Sequence, residues 1–140
     1  HILLSGCRCI EIDCWDGWED SKMCPIVTHG MAMCTAITLK VFSLNLHKRT
    51  LMAIKETAFV TSQYPVIISV ENHLSLQQQK IMAECIVEIF GDLLLSEPLT
   101  EHPLKPEVLF PSPEKLKNKI LIKNKKLSDT KEISLLRQAI

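Results

Sequence analysis

The chain has 140 residues, with 16 basic and 16 acidic side chains and a formal net charge of zero at pH 7. That length suits one domain or part of one, and the charge balance argues against bulk electrostatic binding to nucleic acid, so any anion must be recognised by local patterning. No run approaches the roughly 18 apolar residues of a membrane span. His1 does not begin a signal peptide, and a first residue other than Met leads us to expect a processed product or, in preference, a piece of a longer chain.

Residues 6 to 17 read Gly-Cys-Arg-Cys-Ile-Glu-Ile-Asp-Cys-Trp-Asp-Gly, a short apolar strand. Alternation sends Glu11 and Asp13 out of one face and Ile10, Ile12 and Cys14 out of the other. Buried alone, such carboxylates are strongly disfavoured, so the pair must be solvated, protonated or shared with a cation. The plainer alternative is an edge strand with one wet face. The six cysteines, at 7, 9, 14, 24, 34 and 85, include no pair of Cys-x-x-Cys knuckles for zinc. Reduced core thiols are the expectation, and they point to the cytosol.

The cluster from Asp16 to Lys22 reads as a loop, and Pro25 to Gly30 as a short second strand. Leu51, Ile54, Ala58 and Phe59 recur at helical spacing. Pro65 to Glu71 is dense in β-branched residues and reads as a strand, with Ile67, Ser69 and Glu71 on one face and Val66, Ile68 and Val70 on the other. A helix begins at Ser75, which forms a capping-box pattern with Gln78; its apolar stripe is Met82, Cys85, Ile86, Ile89 and Phe90, and Gly91 stops it. A proline-rich loop runs from Glu97 to Pro113. Ser112 and Pro113 then suit the start of a short helix over Glu114 to Lys117. Lys119 to Lys123 reads as a further strand with Lys119, Leu121 and Lys123 facing one way, and residues 126–140 as a linker or fraying helix.

Four strands separated by helical or loop segments suggest parallel βαβ units. Their polar residues come late in each strand: Glu11 and Asp13, His29, Glu71, Lys123. Active sites lie at the carboxyl ends of strands both in (β/α)8 barrels and in open doubly wound sheets, so periodicity leaves the two architectures open. A complete barrel takes about 250 residues, and this chain is near half of one. Three acids suit a hard cation such as calcium or magnesium better than zinc. A cation beside a phosphoryl group neutralises charge and acidifies a coordinated hydroxyl, and a histidine can then exchange protons with the attacking or leaving oxygen. Lys123 and Lys125 would hold further phosphates as point charges. Taken singly, His29 is more often structural and Lys123 to Lys126 more often a solvated strand end; their joint placement points to metal-assisted phosphodiester cleavage.

Residues 6–17, Ile-Val-Thr-His-Gly at 26–30, Tyr-Pro-Val-Ile-Ile-Ser-Val-Glu-Asn-His at 64–73 and Pro-Ser-Pro-Glu-Lys-Leu-Lys-Asn-Lys-Ile-Leu-Ile-Lys-Asn-Lys at 111–125 together resemble the X region of eukaryotic phosphoinositide-specific phospholipase C. Ala-Ile-Lys-Glu-Thr-Ala-Phe at 53–59 and Phe-Gly-Asp-Leu-Leu-Leu at 90–95 are similar to its beta class, including the beta-4 or photoreceptor-type members. The resemblance implies the N-terminal half of a TIM (β/α)8 barrel over residues 1–126, with parallel strands and outer helices, completed by a Y half after a linker that starts at 127–140. It implies calcium ligands at Glu11, Asp13 and Glu71. His29 would protonate the departing diacylglycerol oxygen, while Lys123 and Lys125 would bind the ring phosphates of the inositol headgroup. It further implies hydrolysis of phosphatidylinositol 4,5-bisphosphate to diacylglycerol and inositol 1,4,5-trisphosphate in signalling. The setting would be cytoplasmic, at the inner face of the plasma membrane, with a heterotrimeric G-protein alpha subunit as a further partner.

In the family a His-Asn pair upstream of the first strand supplies another catalytic histidine and calcium ligand. This sequence contains neither that pair nor the Y half, so the chain alone is expected to be inactive; the alternative is a catalytically silent fragment that only binds phosphoinositide or a partner. The segment Ala36 to Met52 is longer than the family's usual spacing, as an inserted loop, an altered exon boundary or a read-through would make it.

Overall fold

In the computed structural model, which describes residues 1–19, 21–30, 32–39 and 50–125, the β-branched run becomes an interior strand of a sheet. The strands are β1 (Cys9–Trp15), β2 (Trp18–Glu19), β3 (Lys22–Met23), β4 (Ile26–Val27), β5 (Ile37–Thr38), β6 (Val66–His73) and β7 (Ile120–Asn124). Two helices, α1 (Thr50–Thr57) and α2 (Leu76–Phe90), and two 3-10 turns, Gly91–Leu93 and Pro113–Leu116, complete the described elements. The main sheet has the order β5-β4-β1-β6-β7, with β1, β6 and β7 mutually parallel as expected. Residues 126–140, and residues 40–49 of the long segment, lie outside the described residues.

The second strand differs from expectation. It is two residues long and runs antiparallel to β1, and β5 is antiparallel to it in turn. A parallel return needs a crossover of about a dozen residues or more, usually through a helix. Between β1 and β4 there is only the small β2–β3 hairpin, in a stretch that reads as plain loop; Ser21 at its turn has φ 63°.

Parity decides which side of the sheet is dry. Ile12 and Cys14 of β1, Val66, Ile68 and Val70 of β6 and Ile120 of β7 form one core with Leu51 and Ile54 of α1 and the expected stripe of α2. Each such side chain contributes about 1.5–3 kcal/mol by burial. Three of the six thiols, Cys14, Cys24 and Cys85, are core residues; Cys7, Cys9 and Cys34 are exposed, so the expectation of core thiols holds for half of them.

Only half of the capping box forms at α2. The Ser75 hydroxyl accepts the Gln78 N–H at 3.4 Å, but the Gln78 side chain does not reach back. It is buried against Gly17 instead, accepting that residue's N–H at 3.2 Å and donating to its carbonyl at 2.9 Å. Asp16 takes over the other half, accepting the Ser75 N–H at 2.9 Å. The backbone N–H and C=O of one residue are better partners for a buried amide than a single N–H, because together they satisfy both its ends. Gly17 makes room for this: a Cβ there would lie 2.4 Å from Ile26 Cγ2 and 2.7 Å from the Cys24 carbonyl. At the other end Gly91, with φ 51°, donates to the Val87 carbonyl and ends the helix. The short turn begins at Pro113, one residue earlier than expected, and the Ser112 carbonyl, not its hydroxyl, accepts from Lys115 at 3.0 Å.

Arg8 has a structural role that its place between two cysteines does not announce. Its guanidinium donates to the carbonyls of Ala58 at 2.6 Å, Ser62 at 3.3 Å and Leu3 at 3.1 Å, tying the N-terminal turn to the end of α1 and the approach to β6. Replacing Arg8 by methionine keeps most of the stem but leaves these carbonyls without their charged donor. We expect a loss of about 2 kcal/mol in stability, read from chemical unfolding beside the unsubstituted chain. An unchanged midpoint would mean that water satisfies the carbonyls as well as the guanidinium does.

Candidate active site

The polar face of the sheet is built in layers by the strand register. Cys9 pairs with Ile67 and Ile67 with Leu121; two residues on, Glu11 pairs with Ser69 and Ser69 with Lys123; two further, Asp13 pairs with Glu71. The strands are parallel and the side-chain period is two, so each layer lies closer to the carboxyl ends than the one before. The result is an apolar floor, a mixed polar layer and an acidic rim.

One oxygen from each of Glu11, Asp13 and Glu71 lies within 4.8 Å of the others. Oxygens bound about 2.3–2.6 Å from a common centre can be at most about 5 Å apart, so the three fit one calcium ion, and an all-oxygen donor set suits such a hard cation. Lys123 donates from Nζ to Ser69 Oγ at 3.4 Å, which holds its stem over the middle layer beside Glu11. Lys125 lies one residue beyond the end of β7 and is exposed; its backbone N–H donates to Asn124 Oδ1 at 2.7 Å. The strand pairing stops before it would bring Lys125 level with the acids.

His29 reaches the rim by another route than the one expected. The antiparallel pairs Trp15 with Ile26 and Cys14 with Val27 carry the chain back along β1, and the Thr28 N–H donates to the Asp13 carbonyl at 3.1 Å. The His29 ring then lies with Nε2 4.0 Å from Asp13 Oδ2; its side chain is 75% exposed, while that of Asp13 is only 14% exposed. Next to it, the Cys34 thiol pairs with the Thr28 hydroxyl at 3.4 Å and accepts the His29 N–H at 3.3 Å. These two contacts hold its thiol below the ordinary range. Cys14 is the opposite case: burial, reinforced by the Asp13 charge, pushes its thiol up to about 12.

Two aromatic side chains at the rim escape a reading of the sequence. His73 places Nε2 2.9 Å from Glu71 Oε1, and its ring stacks on Trp15 with centroids 4.0 Å apart and planes at 15°. The signal was present in the parity, since His73 and Glu71 share a face, as do Trp15 and Asp13.

Residues 1–126 match the family model described as phosphatidylinositol-specific phospholipase C, X domain. The chain belongs to that family. It is 57% identical over 91% of its length to the Rattus norvegicus 1-phosphatidylinositol 4,5-bisphosphate phosphodiesterase beta-4, of which it covers 10%. With the Homo sapiens beta-2 phosphodiesterase of the same substrate name it shares 54% identity over 90% of its length, covering 10% of that protein. The crystal structure of L. pealei PLC21 superposes with a TM-score of 0.78 at 48% identity, covering 97% of this chain and 16% of that one. The chain thus spans about a tenth of the length of these curated relatives. Within the phospholipase C family, the parallel β1-β6-β7 sheet with α2 as a crossover is the N-terminal half of a TIM barrel.

Proposed function

We propose that this X domain is part of a calcium-dependent phosphodiesterase that hydrolyses phosphatidylinositol 4,5-bisphosphate to diacylglycerol and inositol 1,4,5-trisphosphate. The observation that carries the proposal is the convergence of three carboxylates within 4.8 Å at one rim, with His29 4.0 Å from the central one. Glu11, Asp13 and Glu71 would hold calcium, which when bound supplies positive charge beside the phosphodiester and acidifies the inositol hydroxyl that attacks it. His29, exposed beside Asp13, is free to meet the departing diacylglycerol oxygen and give it a proton. Lys123, steadied by Ser69, and Lys125 beyond it would meet the ring phosphates. The apolar floor, with Cys9 exposed and Ile67 37% exposed, favours a covering Y half of the barrel. A lipid substrate places the work at a membrane surface, and we propose the cytoplasmic face of the plasma membrane. The likeness to beta-class relatives supports a G-protein alpha subunit as a partner.

Lysine substitutions test the substrate assignment in an enzyme whose X half is this chain. Lys123→Ala and Lys125→Ala should each lower the preference for phosphatidylinositol 4,5-bisphosphate over plain phosphatidylinositol by about tenfold, since only the former carries ring phosphates for these charges. The ratio of kcat/KM on the two lipids reads this directly. An equal loss on both would return the lysines to structural strand-end residues.

A further inference from the structure

We infer that His73 is a positioning residue for the Glu71 carboxylate, held in place by Trp15; the inference rests on the calcium reading above and names a part of that site which none of its ligands supplies. Glu71 stands near the end of β6 with its side chain 55% exposed, and a glutamate so placed gives up rotamer freedom when it is fixed. The contact of 2.9 Å from His73 Nε2 to Glu71 Oε1 removes that freedom before any cation arrives. A carboxylate only accepts hydrogen bonds, so Nε2 is the protonated ring nitrogen. One oxygen of Glu71 is thereby tethered, and the carboxylate plane is set against Glu11 and Asp13.

The tether is itself braced. Trp15 is the register partner of His73, and the two rings stack almost parallel. On the segment that carries His29, the residue that follows it is Gly30, where an added Cβ would come within 2.6 Å of Trp15 Cζ2; the backbone therefore lies directly against the indole. One side chain thus touches both the histidine that steadies a metal ligand and the peptide next to His29. The indole holds this place with its Nε1 buried and unpartnered among the described residues, at a cost in stability. Hydrogen bonding of its own does not explain where Trp15 sits, whereas bracing His73 and Gly30 does.

The test is a calcium titration by calorimetry on an enzyme whose X half is this chain, with thermal unfolding of each variant in the absence of calcium. His73→Phe keeps a ring on Trp15 and removes the donor, and should weaken calcium binding about tenfold with its unfolding midpoint unchanged. His73→Gln, which retains a donor of similar reach, should recover most of the affinity. His73→Asn is polar but too short to reach Glu71, and provides a second variant with the same expected loss should His73→Phe fold poorly. Calcium affinity unaltered in His73→Phe and His73→Asn would overturn the positioning role while leaving the acidic site intact. Failure of the unsubstituted enzyme to bind calcium would overturn the site and this inference together.

Discussion

In an enzyme whose X half is this chain, alanine in place of His29 should lower turnover on phosphatidylinositol 4,5-bisphosphate by about 10²–10⁴-fold while the calcium concentration for half-maximal rate stays where it was. The expectation follows from placement. The His29 side chain is 75% exposed and stands 4.0 Å from Asp13, too far for a hydrogen bond, so it is not holding that carboxylate in place. Its removal takes away a proton donor for the leaving oxygen and leaves the three acids as they were. Initial rates on mixed micelles across a calcium series would separate the two effects. A variant whose whole loss is repaired by added calcium would show that His29 serves the metal and not the proton transfer.

Removing charge from the rim should have the complementary signature. Glu11→Gln, Asp13→Asn and Glu71→Gln preserve shape, and each should weaken calcium binding by about ten- to a hundredfold. Asp13→Asn should be the most severe, because its side chain is 14% exposed against 55% for Glu71 and its field is the least screened by water. Without calcium the same substitutions should raise the unfolding temperature, since three carboxylates within 4.8 Å repel one another. Opposite signs in the two measurements distinguish a built cation site from a chance cluster of acids. A substitution that lowered both stability and affinity would mean that the carboxylate holds the strand end together.

What could be read in advance was whatever repeats along the chain. Strand parity separates Glu11 and Asp13 from Ile12 and Cys14, and Ser69 and Glu71 from Ile68 and Val70, without knowledge of any neighbour. The α2 stripe and its glycine stop are legible for the same reason. The direction of β4 was not, because two residues carry no pattern of their own and the short connection to β1 dictated an antiparallel return. Gln78 fits a local motif and is taken by a distant one, since Gly17 offers both a backbone donor and a backbone acceptor. Arg8 finds its carbonyls at the end of a helix fifty residues away in the chain, which no spacing rule anticipates. His73 was within reach of parity, but the tether becomes visible only when the ring is seen on Trp15.

The layered polar face ties the alignment of the rim acids to the core beneath it. A slip of one residue between β1 and β6 would turn every side chain of the moved strand to the other side of the sheet, sending an acid into the core and a valine or isoleucine to the rim. What forbids the slip is the hydrocarbon beneath: Ile12 and Cys14 against Val66, Ile68 and Val70, all buried. A cation at the rim would therefore have no part in choosing which acids meet; it would find them aligned by oil on the far side of the backbone. Evolution can retune that oil only within volumes that keep the register, and a loosened core would blunt the proposed cation site without altering any of its acids.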